Sequence, residues 1–111
     1  MTGNEYQRLA KVTSNPDLSP EMHLLNGVMG MCGEAGECID LVKKYQMQGH
    51  ELDRDHLAKE LGDVMWYVAE AASAMDIELD DVMQKNIDKL KARYPEGFEV
   101  DRSVHRRTGD V

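Results

Sequence analysis

Apolar residues recur along the chain at a spacing of three or four, and no stretch alternates in the manner of a strand. This pattern predicts a short helix followed by three longer ones, over residues 5–12, 20–48, 53–76 and 80–94. Ser19 followed by Pro20 is a typical helix start, because the hydroxyl caps free N–H groups and proline has none to satisfy. We therefore expect an all-α fold, an antiparallel helical bundle whose neighbouring helices are joined by short loops.

Each longer helix carries one apolar stripe that is predicted to face the core. On the second helix the stripe consists of Leu24, Val28, Cys32, Ala35, Ile39 and Val42. On the third it consists of Leu57, Leu61, Val64, Val68, Ala71 and Met75, and on the last of Val82 or Met83 with Ile87 and Leu90. The second helix also contains glycines at three-residue spacing, Gly27, Gly30, Gly33 and Gly36. Glycine weakens a helix by roughly 1 kcal/mol relative to alanine, so this spacing indicates a close helix–helix approach or room for a ligand.

The length of the chain, 111 residues, corresponds to one domain near the lower end of comfortable stability, so oligomerisation would stabilise it. We assign residues 1–98 to the helical domain and residues 99–111 to a polar tail, mobile or docked on a partner subunit. Cys32 and Cys38 lie inside one predicted helix. Their offset makes them a poor disulfide pair, and we expect reduced thiols.

The formal net charge of −8 disfavours a broad surface for DNA or RNA. It is compatible with a small phosphorylated ligand, because a bound cation can bridge carboxylates to phosphates. No apolar run approaches the roughly 18 residues of a membrane span, and no basic-then-apolar leader opens the chain. We expect a cytoplasmic protein that binds neither nucleic acid nor a membrane.

Two pairs of acidic residues stand out, Glu34 with Glu37 and Glu60 with Asp63. Residues three apart lie on the same side of a helix, and both pairs flank an apolar stripe. Four carboxylates that converge between two helices repel one another, and burial adds a desolvation cost. No lysine or arginine is spaced to offset this within either motif, whereas a divalent cation would. Oxygen-only ligands favour Mg²⁺ or Mn²⁺ over Zn²⁺.

The simplest alternative is that these carboxylates are solvated, since one Glu-x-x-Glu pair is more often an exposed helix face than a metal site. Two such pairs on consecutive long helices strengthen the metal interpretation. A di-iron carboxylate site is the nearest rival. It uses Glu-x-x-His, and neither motif has a histidine at the required position.

Around these residues the sequence resembles the MazG-like branch of the all-α NTP pyrophosphohydrolases. The family pattern is Glu-x-x-Glu, a spacer and Glu-x-x-Asp, which here reads GEAGE over residues 33–37 and KELGDVMWYVAE over residues 59–70. The segment KNIDKLKARYPEGF, residues 85–98, is similar to the family's closing helix. The order and spacing of three blocks make the likeness specific. One departure is Gly33, because the family frequently has a glutamate before Glu34.

The resemblance implies hydrolysis of (deoxy)nucleoside triphosphates to the monophosphate and pyrophosphate, with a role in nucleotide-pool sanitation. It also implies a homo-oligomer, either a dimer or a tetramer built as a dimer of dimers. Mg²⁺ would be held against the phosphates by Glu34, Glu37, Glu60 and Asp63. We expect Glu37 to orient the attacking water, although nothing in the sequence separates its role from that of Glu34.

The resemblance further implies that the last helix completes the site with Asn86, Lys89 and Arg93, which share one helix face. For the lysine and the arginine, an ordinary basic helix end is an equally good explanation. Tyr67 follows Glu60 and Asp63 along one strip of the third helix and would stack on a base or support a ligand, although packing in the core or in an interface is an equally good explanation. Trp66 would line the pocket or pack in a dimer interface.

Two further functions fit the same residues. A phosphoribosyl-ATP pyrophosphatase belongs to the same helical superfamily and would use a similar carboxylate cage. A helical dimerisation or nucleotide-sensing module would bind nucleotide without turnover. The sequence leaves base preference open, and a role in a viral dNTP pool is as compatible with it as sanitation.

Overall fold

The computed structural model describes residues 1–111 and is all-α, as predicted. Its five helices are α1 (Gly3–Lys11), α2 (Pro20–Met47), α3 (Arg54–Ala74), α4 (Leu79–Arg93) and α5 (Val100–Val104). The two longest, α2 and α3, form an antiparallel hairpin that makes up most of the packed structure, while α1 lies against α3 and α4. None of the helices has the length and apolar character needed to cross a membrane.

Local capping explains where the first three helices begin. Thr2 and Glu5 form a capping box at the start of α1, each side chain bonded to the other's backbone N–H. Ser19 accepts a hydrogen bond from the backbone N–H three residues later in α2, at 3.2 Å, and Asp53 does the same for α3 at 3.0 Å. The predicted start of α2 is thus confirmed, and of the two aspartates that the sequence offers as a cap for α3, Asp53 and Asp55, it is Asp53 that caps the helix.

The start of α4 differs slightly from the prediction. The helix begins at Leu79, and Glu78 occupies the cap position without a side-chain hydrogen bond. Asp80, the expected start, is used in a contact between helices: its Oδ1 accepts from the backbone N–H of Asn4 at 3.1 Å. The Asn4 Oδ1 in turn accepts from the backbone N–H of Asp80 at 2.9 Å. This reciprocal pair ties the start of α4 to α1.

The α2–α3 hairpin is held together at a seam of small residues. A Cβ atom placed on Gly27 would lie 2.8 Å from the backbone nitrogen of Ala71, and one placed on Gly30 would overlap the ring of Tyr67. A Cβ atom placed on Gly33 would lie in open space. Of the two explanations for the glycine spacing, close helix approach therefore applies to the first half of the series.

The predicted apolar stripe of α2 is wrong, because the helix packs through a different face. Val28 is 48% exposed, Ile39 is 63% exposed and Cys32 is also exposed. The face that meets α3 contains Gly27 and Glu34, offset from the predicted stripe by one residue step, about 100°. Small residues permit the closest helix approach, and here that steric fit outweighs the burial of larger side chains on α2.

Several other residues predicted to face the core are also largely exposed. Leu61 and Met75 of α3 and Ile87 of α4 each expose about half of their surface. Of the alternatives Val82 and Met83, Val82 is half-buried and Met83 is exposed. Only 6 of 111 residues are buried, and the core is mostly alanine. The radius of gyration is 16.9 Å, against about 13 Å for a compact domain of similar length. A single chain therefore leaves much apolar surface uncovered.

A polar hydrogen-bond network joins α1 to the corner between α3 and α4. The Gln7 amide donates to the Ser73 hydroxyl at 3.1 Å and to the Ile77 carbonyl at 2.9 Å. Its oxygen accepts from the backbone N–H of Leu79 at 2.8 Å. The Gln7 side chain thus forms hydrogen bonds with three polar groups at the turn, and these bonds fix the position at which α4 begins relative to α3.

The C-terminal segment, predicted to be a polar tail, contacts its own chain at α4. It contains the short helix α5 and ends near α4. There the Arg93 guanidinium donates two hydrogen bonds to the Asp110 carboxylate, at 2.9 and 2.7 Å. This bidentate pair raises the pKa of Arg93 and lowers the pKa of Asp110, mainly through those hydrogen bonds.

Candidate metal centre

Three of the four predicted acidic residues converge between α2 and α3. Glu34, Glu60 and Asp63 each offer a carboxylate oxygen, and these oxygens all lie within 4.8 Å of one another. Glu34 comes from the α2 face that meets α3, while Glu60 and Asp63 lie one turn apart on α3. The i, i+3 spacing on α3 places the oxygens of Glu60 and Asp63 side by side, and the packing of α2 against α3 adds the oxygen of Glu34.

The electrostatics of this cluster favour a cation. A hydrogen bond to Glu60 raises the pKa of Glu34, and desolvation and repulsion from Glu60, Asp63 and Glu37 raise it further. Two carboxyl groups share a hydrogen bond only when one of them keeps a proton. No lysine or arginine forms an ion pair with any of the three cluster residues. The three donors are all carboxylate oxygens without a lysine or arginine partner, which fits Mg²⁺ or Mn²⁺.

Histidine contributes one supporting contact. The Nε2 of His56 lies 3.1 Å from Oε1 of Glu60, one turn earlier on α3. This contact restricts the rotamer of Glu60, and an imidazole beside a carboxylate is a common way to orient a metal ligand. His56 is itself exposed, near the start of α3.

Glu37 lies outside the cluster. It is exposed one turn further along α2. It is still near enough for its charge to contribute to the raised pKa of Glu34. Its side chain is therefore placed to act at the edge of the acidic cluster.

An open cavity of about 330 Å³ adjoins the cluster. It is lined by Thr13, Glu34, Asp63, Trp66 and Tyr67. The two aromatic rings meet edge to face, with centroids 5.0 Å apart and planes at 82°. The cavity thus has carboxylates on one side and aromatic rings on another, which suits a ligand with a charged end and a planar end.

The three residues expected from α4 do not line this cavity. Asn86 and Lys89 are exposed on the surface of the single chain. Arg93 is engaged by Asp110 and is only 9% exposed. Among the other helices, α4 packs mainly against α1 and α3.

Two residues near the site were not singled out from the sequence. Thr13 lines the cavity and accepts a hydrogen bond from the Trp66 indole N–H at 2.8 Å. The Tyr6 hydroxyl donates to the Gly62 carbonyl at 3.4 Å, and its pKa is raised by burial and then by the charge of Asp63. The apolar pattern places Tyr6 on an inward face of α1, but no local signal shows that either residue meets α3.

Fold and site together define a class: an all-α protein with an acidic centre on a helical hairpin, beside an aromatic cavity. Residues 25–98 match the MazG nucleotide pyrophosphohydrolase domain, and the chain belongs to that family. The chain is also similar to the Gene 37 protein of Mycobacterium phage L5, with 43% identity over 86 residues. That match covers 74% of this chain and 70% of the phage protein. No solved structure matches the chain.

Family membership confirms the predicted resemblance and supports nucleotide pyrophosphohydrolase activity in general terms. It also agrees with the use of a divalent metal, for which the acidic cluster is a candidate site.

Proposed function

We propose that the chain is a Mg²⁺-dependent enzyme that hydrolyses (deoxy)nucleoside triphosphates to the monophosphate and pyrophosphate and so removes unwanted nucleotides from the pool. The observation that carries the proposal is the convergence of three carboxylates, without a lysine or arginine partner, at the edge of a cavity with aromatic walls. A triphosphate has about four negative charges near neutral pH, so bare carboxylates would repel it. The arrangement accepts such a ligand once a cation is bound.

Glu34, Glu60 and Asp63 would hold the metal, with Glu37 adding a ligand from the next turn of α2. Mg²⁺ fits best because it prefers oxygen donors, and Mn²⁺ would substitute. Bound there, the ion would neutralise phosphate charge and make water a stronger acid.

The protein's own groups would orient the substrate along the cavity. Trp66 and Tyr67 would contact the nucleoside, which places the phosphates toward Glu34 and Asp63. We propose that a carboxylate oxygen of Glu37 accepts the proton of the attacking water, with Glu34 as the alternative base. Attack at the α-phosphorus breaks its bond to the bridging oxygen, and pyrophosphate leaves with that oxygen.

We propose that the active form is a homo-oligomer, a dimer or a dimer of dimers. In it, a neighbouring chain would bring Asn86, Lys89 and Arg93 toward the phosphates, because these residues do not reach the cavity of their own chain. Arg93 would have to exchange Asp110 for a phosphate oxygen. The exposed apolar side chains of α2, such as Val28 and Ile39, supply surface for the contact between chains.

The direct test is a pyrophosphate assay with the eight common NTPs and dNTPs, noncanonical nucleotides and phosphoribosyl-ATP. Each is incubated with Mg²⁺, with Mn²⁺ or with EDTA. We expect metal-dependent pyrophosphate release from at least one nucleoside triphosphate and none in EDTA. Glu60→Gln should lower kcat/KM by about 100-fold or more, the scale on which one lost electrostatic stabiliser acts.

The matched control is Asp55→Asn, which removes one exposed carboxylate from the same helix. It should leave kcat/KM within about twofold, since exposed ion pairs contribute little. Turnover of phosphoribosyl-ATP alone would favour the alternative function of a phosphoribosyl-ATP pyrophosphatase over the proposal. Nucleotide binding without any pyrophosphate release would identify a sensing module.

A further inference from the structure

The linker between α1 and α2 makes one specific contact with the cavity wall. The indole Nε1–H of Trp66 donates to Oγ1 of Thr13 at 2.8 Å. The same hydroxyl donates its own proton to the Ala10 carbonyl at 2.7 Å. Because a hydroxyl has a single proton, the bond to Ala10 aims its lone pairs at the indole.

The linker is anchored independently of this contact. The next residue, Ser14, donates to Oε1 of Glu70 at 2.6 Å, and Glu70 is buried in α3. Asn26 donates to the other oxygen of Glu70 at 2.9 Å, and Nδ1 of His23 lies 3.1 Å from Oε1. The position of the linker beside α3 therefore does not depend on the hydroxyl of Thr13.

The indole is also restrained on its other side. Tyr67 meets it edge to face, and the ring of Tyr67 occupies the space that Gly30 leaves on α2. Trp66 is thus fixed by a hydrogen bond from one helix connection and by a ring that packs against another helix. Both restraints act at the wall of the cavity that Trp66 helps to line.

We propose that Thr13 is a positioning residue for the nucleotide, because it holds the Trp66 indole as a stacking surface for the nucleobase. The inference rests on the proposed function, in which this cavity receives the nucleoside end of the substrate. Stacking uses a π-face that every base has, so it is tolerant of base identity. Thr13 therefore sets how tightly nucleotides bind and does not set which base is preferred.

The first test compares Thr13→Val, which keeps the shape and removes the hydroxyl, with Thr13→Ser, which keeps the hydroxyl. Loss of the hydrogen bond should raise KM about three- to tenfold, for purine and pyrimidine substrates alike. The value of kcat should stay within about twofold, because the groups at the phosphates are untouched. Thr13→Ser should restore a KM within about twofold of the wild type.

A double-mutant cycle shows whether Thr13 acts through the indole. Trp66→Phe keeps a stacking ring and removes the N–H donor. If the hydrogen bond is the cause, Thr13→Val should add nothing to the KM of Trp66→Phe. If the two KM increases multiply, Thr13 acts through Ala10 and the backbone, and the inference is overturned.

Fluorescence gives a readout that does not require turnover, since Trp66 is the one tryptophan in the chain. Its steady-state anisotropy should fall in Thr13→Val and recover in Thr13→Ser, with both variants folded at the assay temperature as judged by their melting curves. Turnover by the wild type together with wild-type KM and anisotropy in Thr13→Val would overturn this inference alone. Absence of any turnover by the wild type would overturn the proposed function, and this inference with it.

Discussion

Glu34 occupies a position on α2 where helical hairpins usually place an apolar side chain. It meets α3 beside Glu60 and Asp63, and these neighbours together with desolvation raise its pKa. The folded chain therefore binds a proton at Glu34 more tightly than the unfolded chain does. Without metal, stability should fall as the pH rises from the usual pKa of a glutamate through the raised pKa of Glu34.

Replacing Glu34 by glutamine tests this directly. The amide keeps a donor for Glu60 and removes one charge, so metal-free Glu34→Gln should melt higher than the wild type near neutral pH. The difference should shrink as the pH falls, because the wild type then takes up its proton. Added Mg²⁺ should stabilise the wild type more than the variant. Melting curves between pH 5 and 8, in EDTA and in Mg²⁺, measure all three effects.

The control for this series is Asp55→Asn, an exposed residue on α3 that should show neither effect. A lower melting temperature for Glu34→Gln in EDTA at neutral pH would contradict the repulsion described here. Equal stabilisation of variant and wild type by Mg²⁺ would mean that the metal does not bind at Glu34.

Alanine substitution at two glycines of α2 should change the free energy of unfolding in opposite directions. Gly30→Ala should destabilise the chain by about 1–3 kcal/mol, because its Cβ would overlap the ring of Tyr67. Gly33→Ala has open space and should stabilise the helix by about 0.5–1 kcal/mol. Urea unfolding measures both changes. Equal effects at the two positions would show that the α2–α3 seam is not as close as described.

Helix starts were predictable because capping is local. Ser19 and Asp53 bond to N–H groups three residues away, and the sequence contains everything that the interaction needs. The i, i+3 spacing of Glu60 and Asp63 is local in the same sense, so their shared helix side was predictable too.

The face of α2 was not predictable in this way. Periodicity reports where apolar residues lie, whereas the hairpin is set by how closely Gly27 and Gly30 let α3 approach. The hydrogen bond between Thr13 and Trp66 joins residues 53 positions apart, and the one between Gln7 and Ile77 joins residues 70 apart. Such contacts depend on the finished fold, and no local pattern shows them.

The hydrogen bonds at the corner between α3 and α4 give a prediction about the placement of helix α4 as a whole. Gln7→Ala would leave the backbone N–H of buried Leu79 and the carbonyl of Ile77 without their partner. We expect a loss of about 2–3 kcal/mol in the free energy of unfolding, on the scale of unsatisfied buried polar groups.

The comparison for this variant is Gln84→Ala on α4. Its amide donates to Asp88 one turn away on an exposed surface, so removing it should cost less than about 0.5 kcal/mol. Urea unfolding of both variants gives the difference. A result for Gln7→Ala as small as that for Gln84→Ala would mean that the position of α4 does not depend on α1.

The whole molecule has a small alanine-rich core and a large exposed apolar surface. Extended patches of this kind mark interaction sites. We expect light scattering at micromolar concentration to give a mass well above the 12.6 kDa of one chain. Ile39→Glu should shift the distribution toward the monomer and lower activity, because the charge would be buried between chains.

Met47→Glu provides the comparison, since Met47 is 80% exposed at the end of α2 and away from the centre of the apolar face. It should keep the mass of the wild type. A monomeric wild type, or a monomeric Ile39→Glu variant with full activity, would remove the basis for a site that neighbouring chains complete.

Little of the surface of helix α2 is exposed to solvent without also having a structural or functional role. The side that meets α3 is restricted by the close approach at Gly27 and also carries the carboxylate of Glu34, while another side is apolar and exposed, although Gly27 is the one buried residue of the helix. In most domains, tolerance to substitution follows exposure. A saturation mutagenesis scan scored by nucleotide hydrolysis should find that relation broken here, with α2 the most constrained helix of the five.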